Sequence, residues 1–284
     1  MILDETYTLA NGVAIPRLGL GTWQISDASV AEAVRAAVRI GYRGIDSAQA
    51  YGNERGLGEG VRTSGVPREQ LFVTTKLAAE IKDRAGAAAA IEGSLATLDI
   101  GYVDLMLIHG PQPWDDFRGG DYSDGNRQAW AALEDAYEAG RIRAIGVSNF
   151  LPADIENILS GARVAPQVNQ VLAHPGNTPS ELIEYCRARG IQVEAYSPIA
   201  HGEMLSNGEV TAMAGRYGVT VPQLCIRYTL QLGTVSLPKT ANPAHMLSNS
   251  QVDFVISDDD MSTLRALRAD RYSEDNDLFS HHSA

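Results

Sequence analysis

Short apolar runs typical of β-strands alternate with longer helical patterns along most of this chain, and this alternation limits the fold more than any other feature. The strand-like runs cover residues 18–21, 44–46, 71–75, 103–108, 144–147, 167–169, 192–196 and 234–237. Helical spacing of apolar residues is clearest at 30–40, 128–139 and 181–189. A helix between two strands returns the chain to the same edge of a sheet, so that the strands pair in parallel. The chain therefore predicts a succession of βα units.

Eight such units in about 250 residues match a (β/α)8 TIM barrel. We predict one domain over residues 1–284, because no Pro/Ser/Gly-rich linker divides the chain. Asn11 and Gly12 form a strong β-hairpin signal ahead of the first strand, and we expect this hairpin to close the barrel floor. A doubly wound open sheet is the alternative, but residues 19–24 lack the third glycine of its phosphate loop.

Residues at the helix ends agree with this pattern. Asp27 or Ser29 is suited to cap the first helix. Gly140 and Gly190 are suited to left-handed stops after the two later helices. The acidic run at 258–260 is typical of a solvated surface.

Composition narrows the class of protein. The chain has 23 basic and 35 acidic residues and a formal net charge of −12, which disfavours nucleic acid and anionic membranes as partners. No apolar run approaches the roughly 20 residues of a membrane helix, and the N-terminus does not resemble a secretory signal. Cys186 and Cys225 form neither a disulfide framework nor a metal-binding pair. We expect a soluble, cytoplasmic protein.

Polar residues stand at or just after the carboxyl ends of the predicted strands, where a buried strand has no packing reason to end on a charge. They are Asp46, Lys76, His109, Ser148, Asn149, Gln170, Tyr196 and Ser197. In barrels this end carries the active site. We therefore expect these side chains to meet at one mouth.

Tyr51 follows the second of these strands and is the candidate proton donor. A tyrosine with its ordinary pKa of about 10 is a poor acid at neutral pH unless a nearby cation favours the phenolate. Lys76 supplies that cation, and Asp46 is the natural partner for a buried lysine. His109 could hold a substrate oxygen beside the phenol. The four residues together indicate proton donation to a carbonyl oxygen. The structural alternative is a salt bridge, a capped histidine and a surface tyrosine.

Seven separate blocks of the sequence carry a recognisable pattern: GYRGIDSAQAYGNE at 41–54, FVTTK at 72–76, VDLMLIH at 103–109, IGVSNF at 145–150, QVNQ at 167–170, AYSP at 195–198 and LPKT at 237–240. In this order they resemble the aldo-keto reductase superfamily, and most closely its bacterial branch similar to 2,5-diketogluconate reductases. The resemblance implies a barrel that binds NAD(P)H across its mouth and reduces an aldehyde or ketone to an alcohol. It implies that Tyr51 is the general acid, that Lys76 lowers its pKa, that Asp46 anchors Lys76 and that His109 orients the carbonyl. It implies no metal.

The same resemblance implies a set of cofactor-binding residues that runs from the nicotinamide to the adenosine 2′-phosphate. The set is Gly21, Thr22, Ser148, Asn149, Gln170, Tyr196, Ser197, Ile199, Lys239, Thr240, His245 and Asn249. Within it, Ser148, Asn149 and Gln170 match the positions that bind the carboxamide, and Tyr196 matches the ring that stacks on the nicotinamide.

The chain departs from the family at the adenosine end. His245 replaces an arginine that usually pairs with the 2′-phosphate, and Ser248 replaces an acidic residue that commonly reaches the adenine. Histidine is mostly neutral near pH 7, and losing a charged contact costs roughly 1.5–3 kcal/mol. Lys239 still favours NADPH, so we predict a preference for NADPH with NADH possible.

The substrate side departs as well. Trp23 lines the pocket by resemblance, but Gly110 stands where the family commonly has tryptophan after the catalytic histidine. We expect a wider site, or a site that Trp114 or Phe117 enters from the following loop. Gly44 replaces a commoner His or Ser and is expected to affect only packing.

Long connections at 110–126 and 200–208, and a polar tail at 271–284, are expected to shape this pocket. The expected partner is a small carbonyl compound, and the expected state is a monomer. One alternative is a cofactor-binding regulatory protein with little turnover. Another is a metal-dependent barrel hydrolase that uses Asp46 and His109, although no third ligand is evident. His281 and His282 alone do not make a metal site.

Overall fold

A computed structural model describes residues 1–269, and the predicted tail at 271–284 with His281 and His282 lies outside them. Its strands are β1 Thr6–Thr8, β2 Ala14–Pro16, β3 Gly19–Gly21, β4 Gly44–Asp46, β5 Phe72–Leu77, β6 Val103–Ile108, β7 Ile142–Ser148, β8 Val168–Leu172, β9 Gln192–Tyr196 and β10 Val235–Leu237. Its α-helices are α1 Asp27–Ile40, α2 Glu54–Arg62, α3 Arg84–Leu98, α4 Ser123–Glu138, α5 Pro152–Leu159, α6 Ser180–Ala188, α7 Gly208–Tyr217, α8 Val221–Gln231, α9 Pro243–Ser250 and α10 Asp258–Ala266.

The eight strands β3 to β10 pair in parallel and in chain order. Two parallel bridges, Leu18 with Ser236 and Gly21 with Lys239, join the first strand of the series to the last and its following loop. The backbone N–H of Gly21 also donates to the carbonyl of Pro238 at 3.0 Å. The sheet is therefore a closed barrel surrounded by helices, which confirms the predicted (β/α)8 fold.

The antiparallel hairpin of β1 and β2 covers the amino-terminal end of the barrel. Leu9 and Ile15 are buried in one apolar cluster with interior residues of the barrel such as Leu105, Val168 and Val235. Packing of these aliphatic side chains removes the barrel interior from water at its lower end. The predicted floor-closing hairpin is confirmed.

Helices pack on the outside of the barrel through their apolar faces. On α1, Val30, Val34 and Ala37 are fully buried and lie on one side of the helix. Cys186 and Cys225 are buried free thiols in α6 and α8. Among residues 1–269, no helix is long and apolar enough to cross a membrane.

The start predicted for α4 is wrong, because the helix begins at Ser123, before residue 128. The Asp121 carboxylate accepts from the Ser123 backbone N–H at 2.9 Å and stabilises this earlier start. Gly125 lies in the first turn because α4 crosses the β5–α3 connection closely. A Cβ atom at Gly125 would approach Lys82 to 2.7 Å. A glycine is therefore required at position 125 because Lys82 packs against the helix there, although the local sequence favours a loop.

The predicted cap of α1 is also wrong. α1 begins at Asp27, and the Asp27 carboxylate instead accepts from the backbone N–H of Gly56 at the start of α2, at 2.6 Å. Gly140 and Gly190 do adopt positive φ, both 71°, as a left-handed stop requires. The acidic run at 258–260 forms the first turn of α10, where carboxylates interact favourably with the helix dipole.

Candidate active site

A cleft of about 750 Å³ lies at the carboxyl ends of the barrel strands. Asp46 ends β4, Lys76 lies in β5 and His109 follows β6, so three neighbouring strands place three of the predicted catalytic residues side by side. Asp46, Tyr51 and His109 line the cleft, and Lys76 is fully buried behind them.

Lys76 and Asp46 form a buried ion pair. The Lys76 ammonium donates to both carboxylate oxygens of Asp46, at 2.7 and 2.8 Å, and to the carbonyl of Ser47 at 2.8 Å. Burial by itself lowers the pKa of Lys76, but the charges of Asp46 and Tyr51 outweigh it and hold the pKa above its usual value. The lysine therefore stays a cation at neutral pH.

Tyr51 ends a 3-10 turn, Gln49–Tyr51, directly after β4. The Lys76 ammonium lies 3.3 Å from the Tyr51 hydroxyl. Burial raises the pKa of Tyr51, and Lys76 opposes that rise without reversing it. The net direction differs from the lowered pKa that the resemblance implies, because removal of the phenolate from water outweighs the attraction of one cation. The phenol is therefore protonated at neutral pH, as a proton donor must be.

Gln49 fixes this turn, although no motif in the sequence marks it as a functional residue. Its Oε1 atom accepts from the Ala78 backbone N–H at 2.9 Å, and its Nε2 atom donates to Ser94 Oγ at 2.8 Å and to the Ala90 carbonyl at 3.0 Å. One side chain thus ties the tyrosine turn to the end of β5 and to α3. The only sequence signal was its place two residues before Tyr51.

His109 lies beside the phenol. The rings of His109 and Tyr51 meet edge to face, with 5.7 Å between centroids. The Asn149 side-chain amide donates to the His109 carbonyl at 3.1 Å, which links the end of β6 to the end of β7. The imidazole and the phenol thus border the same part of the cleft.

All of the predicted cofactor residues line the cleft. They are Gly21, Thr22, Ser148, Asn149, Gln170, Tyr196, Ser197, Ile199, Lys239, Thr240, His245 and Asn249. Tyr196 donates from its hydroxyl to Asn149 Oδ1 at 2.8 Å. Asn149 and Ser197 have positive φ values of 62° and 51°, a conformation that costs a non-glycine residue energy and is often found at binding sites.

The far end of the cleft is more exposed. Lys239 and His245 are exposed to solvent, and Asn249 is buried. His245 lies in the first turn of α9, whose N-terminus begins at Pro243 with Asn242 as a cap. Helix N-termini favour anions, and a lysine nearby adds to that preference.

Aromatic rings form part of the wall of the cleft beside His109. Trp114 packs edge-on against His109 at 5.1 Å between centroids and stacks on Phe117 at 5.4 Å. A Cβ atom at Gly110 would lie 3.4 Å from the Phe117 ring. Phe117 thus occupies the space beside Gly110, while Gly110 itself does not line the cleft. Trp23 does line it.

His201 also lines the wall of the cleft, and it is not among the residues predicted from the sequence. Its ring lies 4.8 Å from that of Trp23, and both residues line the cleft. It belongs to a 3-10 segment, Ala200–Ser206, in the connection predicted as a loop. His201 and the preceding Ala200 both have φ of 50°. No local pattern marks this contact, because it joins two distant connections.

Two cations hold the 110–122 connection in place. Lys82 donates to the Gly110 carbonyl at 2.8 Å and to Asn126 Oδ1 at 2.7 Å. Arg118 donates to the Asn149 carbonyl at 2.9 Å and pairs with Asp154 at 2.9 Å. Each of these two side chains joins the 110–122 connection to a segment that follows a different strand. The connection that carries Trp114 is therefore held near both of its ends.

A closed barrel with a lysine-supported tyrosine in a cleft at the carboxyl ends of its strands has the architecture of a barrel oxidoreductase. The family model described as Aldo/keto reductase family matches residues 17–269. This chain belongs to the aldo/keto reductase family, and it is an oxidoreductase of that carbonyl-reducing class.

Relatives with assigned names cover nearly the whole chain. It is 41% identical over 270 residues to the glyoxal reductase of Bacillus subtilis (strain 168), with 94% of each chain covered. It is 38% identical over 272 residues to the 9,11-endoperoxide prostaglandin H2 reductase of Trypanosoma cruzi (strain CL Brener), covering 93% of this chain and 92% of the other. The narrower resemblance to 2,5-diketogluconate reductases stays a prediction.

Solved structures share the fold. An aldo/keto reductase from Brucella melitensis superposes with a TM-score of 0.86 at 34% identity, covering 93% of this chain and 98% of the other. An aldo-keto reductase from Bombyx mori in complex with NADP superposes with a TM-score of 0.85 at 31% identity, covering 96% and 94%. Within residues 1–269, no group of three or more His, Cys, Asp or Glu side chains could hold a metal ion.

Proposed function

We propose that this chain reduces aldehydes or ketones to alcohols with NAD(P)H, with Tyr51 as the general acid. The observation that carries the proposal is the position of the Lys76 ammonium, 3.3 Å from the Tyr51 hydroxyl and bonded to both oxygens of Asp46. A buried cation fixed behind a phenol stabilises the phenolate that remains after proton transfer.

The donor set of the cleft fits a nicotinamide dinucleotide. Amide and hydroxyl groups of Ser148, Asn149 and Gln170 lie near the phenol, and Lys239 lies toward the exposed end. Such a set suits a ligand with a carboxamide at one end and a phosphate at the other. When bound, the nicotinamide supplies the hydride.

The residues of this chain then provide positioning and proton transfer. His109 orients the carbonyl oxygen, and Tyr51 donates its proton to that oxygen as negative charge develops on it. Lys76 stabilises the resulting phenolate, and Asp46 keeps Lys76 charged and in place. Half-buried Trp114 limits access of water to the reacting atoms.

NADPH is the proposed preferred cofactor, with NADH tolerated. Lys239 and the N-terminus of α9 favour the extra phosphate, whereas His245 is a weaker phosphate ligand than arginine because its neutral form has no charge. Lys239→Met should raise the dissociation constant of NADPH at least tenfold, or about 1.4 kcal/mol, and leave that of NADH within about twofold. An equal rise in the dissociation constants of NADPH and NADH would argue against a contact between Lys239 and the 2′-phosphate.

Small carbonyl compounds are the proposed substrates. Trp23, Trp114 and His201 narrow the cleft in front of Tyr51 and His109. Similarity to a glyoxal reductase supports compact dicarbonyls as the first compounds to test.

The direct test measures oxidation of NADPH and NADH by the purified protein with glyoxal, methylglyoxal, simple aldehydes and ketones. We expect turnover with at least one carbonyl and a lower KM for NADPH. Tight cofactor binding without turnover on the whole panel would favour the regulatory alternative.

We also propose that the protein acts as a cytoplasmic monomer. Both cysteines are buried free thiols, as expected in a reducing compartment. Sedimentation velocity at micromolar concentration should give the mass of one chain.

A further inference from the structure

Glu194 is a buried carboxyl group to which the proposed chemistry gives no role. It lies in β9, is 2% exposed and does not line the cleft. Glu194 and Gln170 are directly paired in the register of β9 and β8. Paired residues of neighbouring parallel strands point to the same face, so both side chains enter the barrel just below the cleft.

Gln170 donates from one nitrogen atom to two carboxylates. Its Nε2 atom lies 2.8 Å from Glu194 Oε2 and 3.0 Å from Asp46 Oδ2. Both hydrogens of the amide nitrogen are therefore used inside the barrel. A reversed amide would place its oxygen against the Asp46 carboxylate of the ion pair and, once Glu194 has lost its proton, against a second carboxylate, which is electrostatically unfavourable. The pair of carboxylates thus selects one of the two orientations of the Gln170 amide.

The selected orientation leaves the carbonyl oxygen of the Gln170 side chain as the atom available to the cleft. Among residues 1–269, the Gln170 Oε1 atom has no hydrogen-bond donor, and Gln170 lines the cleft. An oxygen in this position accepts from a ligand N–H. A nicotinamide carboxamide carries such a donor.

We infer that Glu194 is a positioning residue which, together with Asp46, orients the Gln170 amide so that its oxygen accepts from the carboxamide N–H of the cofactor. The inference rests on the proposed function, since it requires that a nicotinamide cofactor binds in the cleft. Glu194 acts through Gln170 and does not contact the reacting atoms.

Asp46 alone does not explain why a second carboxyl group is present. Asp46 also accepts from Lys76 through both of its oxygens, so its bond to Gln170 competes with the ion pair. Glu194 gives Gln170 a second acceptor that Lys76 does not contact through a hydrogen bond. An apolar side chain at position 194 would leave one hydrogen of the Gln170 amide without an acceptor. The amide group could then rotate and present its nitrogen to the cleft in place of its oxygen.

The test compares two ligands that differ only at the carboxamide: NADP⁺ and its 3-acetylpyridine analogue, which has a methyl ketone in that place. Dissociation constants are measured by quenching of tryptophan fluorescence for the wild type, Glu194→Leu and Glu194→Gln. We expect Glu194→Leu to raise the dissociation constant of NADP⁺ about tenfold and that of the analogue less than twofold. Glu194→Gln retains a side-chain oxygen acceptor and should stay within about threefold of the wild type for both.

A double-mutant cycle with Gln170→Leu separates this role from packing. If Glu194 acts through Gln170, adding Glu194→Leu to Gln170→Leu should weaken NADP⁺ by less than about twofold more. Glu194→Val, which is smaller and also lacks an acceptor, replaces the leucine variant if that variant does not fold. Equal weakening of NADP⁺ and the analogue, or additive effects in the cycle, would overturn the inference.

The outcome for the wild type distinguishes the two proposals. If the wild type binds neither reduced nor oxidised nicotinamide cofactors, the proposed function fails and the inference fails with it. If the wild type binds NADP⁺ and reduces carbonyls, but Glu194→Leu keeps the wild-type affinity, only the inference fails.

Discussion

Tyr51 is subject to two opposing effects within a few ångströms. Burial favours the neutral phenol, while the Lys76 ammonium at 3.3 Å favours the phenolate. The phenol is therefore the stable form, and the cation would stabilise the phenolate that the proposed proton transfer leaves behind. A proton donor at neutral pH needs both properties.

Tyr51→Phe removes the transferable proton and keeps the ring. We expect kcat for carbonyl reduction to fall by about 10²–10⁴, the usual contribution of a general acid, with the dissociation constant of NADPH unchanged. The matched control is Tyr102→Phe, since Tyr102 precedes β6 and its ring stacks on Arg68 away from the cleft. A Tyr51→Phe protein with near wild-type kcat would refute the acid role.

Glu194 gives the stability of the protein a specific pH dependence. Burial, with a further contribution from Asp46, raises the pKa of Glu194 to about 7, while Gln170 and Lys76 oppose the rise. The folded state binds a proton more tightly than the unfolded state, whose glutamate has a pKa near 4.5. The contribution of Glu194 to stability is therefore largest below about pH 4.5 and is lost as the pH rises toward 7.

Glu194→Gln removes this titration. Relative to wild type, the variant should be more stable at pH 8 than at pH 5: the difference in the free energy of unfolding, variant minus wild type, should increase by something on the order of 3 kcal/mol between the two pH values. Urea denaturation at the two pH values measures it. The loss of an ionised acceptor for Gln170 affects mainly the value at pH 8, so it reduces the difference. An equal effect at both pH values would show that Glu194 does not titrate in this range.

At the scale of elements, the connection between β6 and α4 determines the shape of the substrate side. Trp114 and Phe117 lie on it, and Lys82 and Arg118 tie its ends to neighbouring loops. Gly110 leaves room for this arrangement, because the Phe117 ring lies where a larger side chain at 110 would go. We therefore expect the contacts of Lys82 and Arg118 to be necessary for holding Trp114 in place against His109.

Arg118→Ala removes the contacts with Asn149 and Asp154. We expect KM for small carbonyl compounds to rise roughly threefold to tenfold, equivalent to about 0.7–1.4 kcal/mol, because Trp114 is no longer held against His109. The dissociation constant of NADPH should change less. Arg141→Ala is the control, since Arg141 is similarly exposed and pairs with Glu92 at the opposite end of the barrel. Equal changes in KM for the two variants would argue against a role of Arg118 in positioning Trp114.

Element boundaries show where sequence patterns reach their limit. The strand spans Gly44–Asp46, Val103–Ile108 and Gln192–Tyr196 agree with the prediction, because a buried strand and its polar end are both local in sequence. The start of α4 was missed because Gly125 and the polar residues around it favour a loop locally. Only the close approach of Lys82 explains the glycine.

At the scale of the whole molecule, one ligand across the mouth would contact residues that follow most of the barrel strands. Binding to the folded state alone stabilises it by RT ln(1 + [L]/Kd), about 2.7 kcal/mol at a hundredfold excess over Kd. For a chain of 284 residues this raises the unfolding midpoint by about 5 °C. NADPH at 100 times its Kd should produce this shift in calorimetry, and adenosine at the same concentration should produce much less. No shift with NADPH would contradict binding across the barrel.

The sequence by itself determined the barrel, the placement of Asp46, Lys76 and His109 around Tyr51, and the predicted cofactor residues that line the cleft. Strand periodicity and motif spacing are local properties, and the closure of a parallel barrel brings every strand end to one mouth. Tertiary structure alone decided the rest. The net direction of the Tyr51 pKa depends on burial, which no motif records. The contacts of His201 with Trp23, of Phe117 with Gly110 and of Glu194 with Gln170 join segments that only the folded barrel brings within a few ångströms.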